Sequence, residues 1–597
     1  LKDTLSFFQT RFETFNKQTA LLKRKSSQIS LLRILTVVVG VILSVMAANN
    51  NQAQILWLII LISLILFLIL IKWHHLNKNE LELNSALKEV NRDETYRVLL
   101  DFKALDDGME FHDPNHPFHE DLDIFGRHSL FQLINRTSTP EGKQVLASWM
   151  SYSSVEQGKN RQSAIEELKN KVEFRQLFEA NGRINSLKDH VNKGFFNWLK
   201  ESDQLTYGRL YLILLFILPT LTLGSIITSI LELTAMGLPL LMILINWLVL
   251  GSVSKRLLDI TRTTENGYKS ISTLKSQLLL IENESFNTNE LLDLKSGILS
   301  KHSSASDKIG QLKFLLDSLH SRFNLMYWLL NSILLTDVFW LIKITNWKTK
   351  NELEIQRWFE VTAEFDALSS IAGFAFAEPN FVYPELVEEQ FSIKALSLGH
   401  PLISQNKRVA NDFRFEGKGG ICLITGSNMS GKSTFLRTLG INVVLSQLGA
   451  PVCSKEFEIG PMQVFTSMRT RDELEENVSS FYAELKRLKQ LLETINDEVP
   501  TLFMIDEVLK GTNSDDRHKG ALALIKQLNK TNAFGLVSTH DLVLGGITNE
   551  LSGVRNYSFN SRIENKEILF DYQLTPGICK SFNATQLMKN MGIEIPN

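Results

Sequence analysis

Apolar positions along this chain fall into two regimes. In residues 34–48 (ILTVVVGVILSVMAA) and 55–71 (ILWLIILISLILFLILI) they run almost unbroken, joined by the uncharged NNNQAQ. Runs of this length, with flanking residues, are what a hydrocarbon core requires of a helix, so the pattern predicts a membrane hairpin. A second pair at 210–231 and 235–253 turns around Glu232 and is interrupted by Pro219, Gly224 and Pro239, breakers that membrane helices tolerate. A fifth apolar stretch, 325–347, carries Asn331, Asp337 and Lys343 in its middle. Each is costly in lipid, so this stretch reads as a core helix rather than a span.

Elsewhere the apolar positions recur with helical period. Residues 74–205 carry it with many Leu, Glu, Lys and Asn, and residues 256–350 read as long amphipathic helices suited to levers or partner contacts. Within the first stretch, FHDPNHPFHEDLD places His112, His116 and His119 near Asp113 and Glu120. Pro114 and Pro117 make this a loop, so the four-residue spacing of His112 and His116 does not lie on a helix where it could support a metal, and a solvated loop is expected. No fixed-period repeat stands out. The resulting organisation is a basic amphipathic segment at 1–30, a transmembrane hairpin at 31–73, a helical core at 74–205, a second hairpin at 206–255, a helical lever region at 256–380 and an α/β domain at 381–597.

Charge fixes the orientation. Lys23, Arg24, Lys25 and Arg33 precede the first hairpin and Lys72 and Lys78 follow it; Arg209 precedes the second, and Lys255 and Arg256 follow. Basic residues stay on the cytoplasmic side, so all four outer ends face the cytoplasm, and an odd number of spans would reverse the C-terminal domain. A net charge of −2, from 63 Lys and Arg against 65 Asp and Glu, provides no whole-protein field toward nucleic acid, leaving only a local patch for any DNA contact. Cys422, Cys453 and Cys579 are odd in number and widely spaced, which argues against a disulfide framework or zinc site and fits a reducing compartment. The opening residues show no signal-peptide cleavage pattern.

The chemistry is concentrated late in the chain. GGICLITGSNMSGKSTFLRTL runs from an apolar strand through a loop into a helix, with Gly426, Gly431, Lys432 and Ser433 at the spacing G-x-x-x-x-G-K-S. In that context Gly426, Ser427, Asn428, Met429, Ser430, Gly431, Lys432, Ser433 and Thr434 form a phosphate-binding loop. Its backbone N–H groups and the helix N-terminus cradle phosphates, Lys432 reaches the β- and γ-phosphates, and Ser433 can ligate Mg²⁺. Downstream, TLFMIDE is a short strand ending in Asp506, expected to hold Mg²⁺, and Glu507, expected to polarise the attacking water. A third strand, AFGLVSTHD, ends at His540, where a γ-phosphate sensor would stand.

These motifs, in this order and with the Asn-Met pair inside the loop, resemble the ATPase domain of the MutS family, a branch of the ABC-type ATPases. The likeness extends from Ala395 to Gly592 through LGHPLI, LSQLGAPVCS and LTPGICKSFNATQLMKNMGI, and more weakly to DIFGRHSLFQLINRTSTPEGKQVLASWM with Thr137, Thr139, Pro140 and Gly142. The resemblance implies ATP and Mg²⁺ as ligands and a head-to-tail homodimer. In that dimer ENVSSFYAEL would bring Ser479 and Ser480 to the partner's γ-phosphate, and Asp516 would lie in the loop crossing the interface. The chain departs from the family at Asn477 and Val478, where glycine and arginine are usual, and at Leu509-Lys510-Gly511, where Gly-Arg-Gly is usual. The nucleotide-binding side is therefore better supported than the side acting in trans.

Mismatch-reading members also carry an N-terminal α/β domain with a Phe-x-Glu wedge. Here Phe118-His119-Glu120 and Phe376-Ala377-Glu378 match that triplet only by chance, and membrane segments occupy the space. The expected protein is multidomain: a C-terminal α/β P-loop ATPase domain of ABC type, an all-α lever and core region, and two transmembrane helical hairpins. Its expected partners are a second copy of itself, membrane lipid and, weakly and without mismatch preference, DNA. The alternative is an ATP-driven membrane machine or transporter-like protein with no DNA role.

Overall fold

The computed structural model describes residues 2–185, 195, 198–199, 208–265, 267–299, 304–320, 322, 325–469, 480–510, 512–564 and 567–579. Two long antiparallel helices open the chain, α1 (Lys2–Asn49) and α2 (Ala53–Val98). They turn through Asn51 at φ 55°, a left-handed conformation that asparagine tolerates. Each helix runs through both an apolar and a polar stretch, so the first hairpin has two ends of different character. At the turn end, side chains from Ile34 to Met46 and from Ile55 to Ile71 are largely exposed. At the other end, Phe7 and Phe8 of α1 pack on Phe376, and Arg11 donates to Glu173 and Gln176.

The helical core follows as α3 (Leu130–Ile134), α4 (Pro140–Tyr152), α5 (Val155–Asn170) and α6 (Val172–Asn185). Local chemistry sets its boundaries. Thr139 caps α4 with Pro140 in its first turn, and Ser154 with Gln157 forms a capping box on α5. The second apolar pair is α7 (Gly208–Ile230) and α8 (Gly237–Glu265), with Pro219 inside α7 and Glu232 in the turn at φ 59°. Then come α9 (Gly267–Asn283), α10 (Asn289–Ser296), α11 (Ala305–His320), α12 (Leu325–Leu334) and the 42-residue α13 (Thr336–Ala377). Among the described residues, four helices, α1, α2, α7 and α8, are each long and apolar enough to cross a membrane.

Helix α13 is the spine: its second half is buried almost all round, with Phe365, Ile371 and Phe374 fully enclosed. Asp366 on this spine accepts hydrogen bonds from the backbone N–H groups of Ser138 and Thr139 and from the Thr139 hydroxyl. Beside it, Glu94 of α2 takes a two-pronged contact from Arg136 at 2.6 and 2.8 Å. Burial pushes the Glu94 carboxyl up, but Arg136 and Arg97 outweigh it and hold the group below its ordinary value. The base of the first hairpin is thus tied by buried, paired charges to the loop that starts α4.

Two regions differ from the sequence expectation. The histidine loop is not solvated: His116 and His119 are buried, their rings stacked at 3.6 Å, and His119 contacts the Ser151 hydroxyl at 2.9 Å. Burial pushes His116 down to about 4 and His119 to about 2, so both are neutral at pH 7. The loop is buried because the C-terminal domain sits on it: Thr466 N–H donates to Pro117 O at 3.0 Å, and Arg487 donates to the carbonyls of His116 and Pro117. The stretch 325–347, read as one core helix, is instead broken at Leu335 (φ 53°) into α12 and the start of α13, bent by 82°.

The C-terminal region carries two sheets. One has the order β1-β5-β2-β3, from β1 (Glu385–Leu386), β2 (Ser392–Leu398), β3 (Asn411–Glu416) and β5 (Glu456–Ile459). The other has the order β10-β9-β4-β8-β7-β6, from β4 (Ile421–Gly426), β6 (Gln463–Ser467), β7 (Thr501–Asp506), β8 (Ala533–Thr539), β9 (Val554–Glu564) and β10 (Glu567–Pro576). Its first five strands in sequence are parallel, and only β10 is antiparallel. Parallel strands covered on both faces read as continuous apolar runs, which is why β4 and β8 are buried at every position. Helices α14 (Lys432–Leu448), α15 (Ser480–Thr494) and α16 (Ser514–Leu528) accompany this sheet. Helix α14 also touches the helical core, where Gly158 of α5 lies so close to the carbonyls of Ser446 and Gln447 that no Cβ fits between them.

Candidate nucleotide site

Strand β8 lies between β4 and β7, so three strands that are far apart in sequence end side by side. The carboxyl edge of a parallel sheet is where open α/β folds bind ligands. Here it presents Gly426 from β4, Asp506 from β7 with Glu507 just beyond it, and His540 just beyond β8.

The loop after β4 is tightly shaped. Met429 at φ 68° and Gly431 at φ 104° are both left-handed, and α14 starts at the next residue, Lys432. A Cβ on Gly426 would meet the Ser430 hydroxyl at 2.7 Å and Phe559 O at 2.9 Å, so this position requires glycine. Lys432 is buried, and its amine donates to the Gly426 and Ser427 carbonyls, both at 3.0 Å. Burial lowers its pKa, against the opposing pull of Glu507 and Asp506. The Ser430 hydroxyl is buried and has no hydrogen-bond partner among the described residues, the condition of a group placed for a ligand oxygen.

Next to this loop, Ser433 Oγ donates to Asp506 Oδ2 at 2.5 Å, and the Ser538 hydroxyl donates to the other carboxylate oxygen. A hydroxyl and a carboxylate brought together at a helix N-terminus are the hard oxygen donors that suit Mg²⁺. The donor set, the glycine-shaped cradle and the unpartnered Ser430 hydroxyl all fit a Mg²⁺–nucleotide.

Glu507 has φ 58° and its N–H donates to Ser538 O at 3.2 Å, which fixes the backbone where the strand ends. His540 Nε2 lies 2.5 Å from Glu507 Oε1, and Lys510 lies 3.7 Å from the other oxygen. The His540 contact, followed by Lys510 and Lys432, holds the Glu507 carboxyl down at about 2 despite partial burial, so it is ionised throughout the neutral range.

The residues expected to act in trans are placed differently. Asp516 sits exposed in the first turn of α16, where Asn513 caps the helix by accepting from its N–H. Ser480 is the first residue of α15. Ser479, with Asn477, Val478 and Gly511, lies outside the described residues, as does the end of the C-terminal motif from Lys580.

Several site residues were missed in the sequence. Ser538 fixes Asp506, and Glu484 of α15 accepts from the backbone N–H of Leu509, two residues past Glu507. His518 contacts Asp541 at 2.6 Å beside His540, and Asp123 of the helical core meets Arg469 at 2.7 Å and Arg437 of α14 at 3.7 Å. Their only sequence signal was weak: Ser538 and Asp541 lie within the AFGLVSTHD stretch without a role of their own there, while the others are ordinary polar residues.

Residues 422–594 match the family model described as MutS domain V. The chain is also 29% identical over 248 residues to the DNA mismatch repair protein MutS of Alkaliphilus metalliredigens (strain QYMF), an alignment covering 40% of this chain. It spans 28% of that relative's length.

Proposed function

We propose, for a chain that its C-terminal region makes a member of the MutS family, that it is a membrane-anchored ATPase working as a homodimer. The observation that carries this reading is the meeting of Lys432, Ser433, Asp506, Glu507 and His540 at the carboxyl edge of one sheet. Loop N–H groups from Ser427 to Lys432, with the Lys432 amine, bind the phosphates. Ser433 and Asp506 hold Mg²⁺, which when bound offsets the phosphate charge. Glu507, ionised and steered by His540, orients and polarises the attacking water, and His540 senses the γ-phosphate. Ser479, Ser480 and Asp516 serve the partner's site across the dimer.

The site lies on the cytoplasmic side, with the hairpins α1–α2 and α7–α8 in the bilayer. Two features support the anchoring: the exposed apolar side chains on all four helices and the basic residues at their outer ends. DNA binding, if it occurs, is weak, salt-dependent and indifferent to mismatches, because 63 basic residues face 65 acidic ones. The second reading, a membrane machine without a DNA role, is favoured by α13, a single helix leading from hairpin two to the ATPase domain. A competition assay with a homoduplex and the same duplex carrying one mismatch tests the indifference: a preference of roughly tenfold or more for the mismatch would restore repair-type recognition, whereas no measurable binding to either duplex at low salt would favour the second reading.

The test of the ATPase reading is a pair of variants. Lys432→Ala loses nucleotide binding, because the lysine contacts ground-state phosphates. Glu507→Gln binds ATP, hydrolyses it slowly and accumulates closed dimer. Normal turnover by Glu507→Gln would remove that residue from its role.

A further inference from the structure

Helix α12 is too exposed to be a core helix. Trp328, Leu329, Leu330 and Leu334 all point outward, and Trp328 adjoins Trp247 of α8 with ring centroids 5.8 Å apart. Its apolar face therefore continues the exposed face of hairpin two, where Leu241, Leu244 and Leu248 are also uncovered. Nor does it go on as a full span, since the chain turns by 82° at Leu335. A fifth crossing would also put the nucleotide site on the opposite side from the basic flanks.

The turn is held from the hairpin. Asn246, fully buried in α8, donates to Thr222 Oγ1 of α7 at 3.1 Å and to Ser332 O at 2.9 Å, while Trp247 Nε1 donates to Ser332 Oγ at 3.0 Å. Ser332 O belongs to the last turn of α12, whose carbonyls have no helical partner once the helix stops. In lipid such groups must be satisfied by protein. Around the corner, Asn331 Oδ1 accepts from Asp337 N–H at 2.9 Å, starting α13, and Asp337 is paired with Arg322 at 3.2 Å and with the Tyr327 hydroxyl at 2.7 Å. Charges at membrane depth are tolerated when paired within protein in this way.

Two lengths are compatible. The ten residues of α12 extend about 15 Å, and because the chain bends by 82° into α13 an evenly sloped α12 descends roughly 10 Å into a hydrocarbon core of about 30 Å. Asn246, at the level of its C-terminal end, lies about 13 Å along α8 from the basic flank at Lys255. We propose that α12 is a re-entrant membrane element: it enters the bilayer from the cytoplasmic side against hairpin two, turns inside the hydrocarbon core where Asn246 caps it, and returns as α13. Its exposed face meets lipid acyl chains. This rests on the membrane reading of hairpin two, and it gives the ATPase spine α13 a root inside the bilayer.

The test uses full-length protein in phosphatidylcholine–phosphatidylglycerol vesicles with single spin labels at Trp328→Cys, Leu334→Cys and, as control, Leu244→Cys. The native cysteines are buried, so the introduced ones label selectively. Collision with oxygen against a water-soluble nickel chelate reports depth. The proposal expects Leu334→Cys about 6 Å or more deeper than Trp328→Cys and close to the control, and it expects Asn246→Leu to abolish the immobilised component at Leu334→Cys while the control keeps its depth. Equal headgroup-level depth at both α12 positions, or aqueous exposure of both with the control in lipid, overturns it. So does labelling of Leu334→Cys by an impermeant reagent from the far side, or an unchanged spectrum with Asn246→Leu. An aqueous control would instead bring down the membrane reading itself.

Discussion

Gly158→Ala tests whether the helical core is physically locked to the phosphate-loop helix. At this position a Cβ would stand 2.1 Å from Ser446 O, 2.8 Å from Gln447 O and 2.9 Å from the Gln447 carbonyl carbon. An ordinary carbon–oxygen approach is about 3.3–3.6 Å, so α5 and α14 must part by roughly 1 Å. The obstacle is backbone, which does not swing aside, and Gly449 at φ 80° closes the same contact from the other side. Overpacking of this kind costs about 1–3 kcal/mol. Replacing a helical glycine by alanine returns up to about 1 kcal/mol, which leaves a net loss of up to about 2 kcal/mol. Thermal unfolding of the detergent-solubilised protein, followed by loss of ATP binding, should shift down by a few degrees. If α5 did not press on α14, alanine would stabilise instead, so a rise in midpoint refutes the reasoning by its sign.

Further substitutions probe the site. Ser538→Ala removes one of the two hydroxyls on Asp506 and should raise the Mg²⁺ concentration needed for half-maximal turnover with little change in fold, as measured by Mg²⁺ titration. Glu484→Ala leaves the buried Leu509 N–H without its acceptor, a loss of about 1–3 kcal/mol; turnover should fall while ATP binding, read by equilibrium dialysis, is kept. The Glu507 carboxylate is held at about 2 chiefly by His540, so the wild-type enzyme should show no activity loss from its protonation down to about pH 5. In His540→Ala the carboxyl pKa rises toward its ordinary value of about 4.3, and the acid limb of the pH–rate profile should move to higher pH.

The parts legible in the sequence were those whose signal is local. The loop after β4 declares itself because glycines at fixed spacing are what let a strand turn tightly into a helix. The four apolar helices declare themselves because their runs are long and nearly free of charge. What could not be read were meetings between distant residues of common type: Ser538 with Asp506, Glu484 with Leu509, and Asp123 with Arg437 and Arg469. The histidine loop misled because His and Pro are usual in solvent, and only the C-terminal domain laid over it buries His116 and His119. The break at Leu335 had no glycine or proline to mark it; a left-handed leucine is held there by Asn331, which in sequence looked only like a polar interruption of an apolar stretch, and by Asn246 of α8.

The central claim joins ATP hydrolysis to integral membrane insertion, and one measurement addresses both. Wild-type protein and Glu507→Gln are reconstituted into liposomes, washed with high salt and floated on a density gradient, and ATP hydrolysis is read in each fraction. Helices that cross the hydrocarbon are insensitive to ionic strength, unlike surface charge attachment. ATPase activity should therefore float with the lipid for the wild type and be nearly absent from the equally floating Glu507→Gln protein. Activity left at the bottom of the gradient, or equal activity in the two floated samples, would contradict the account.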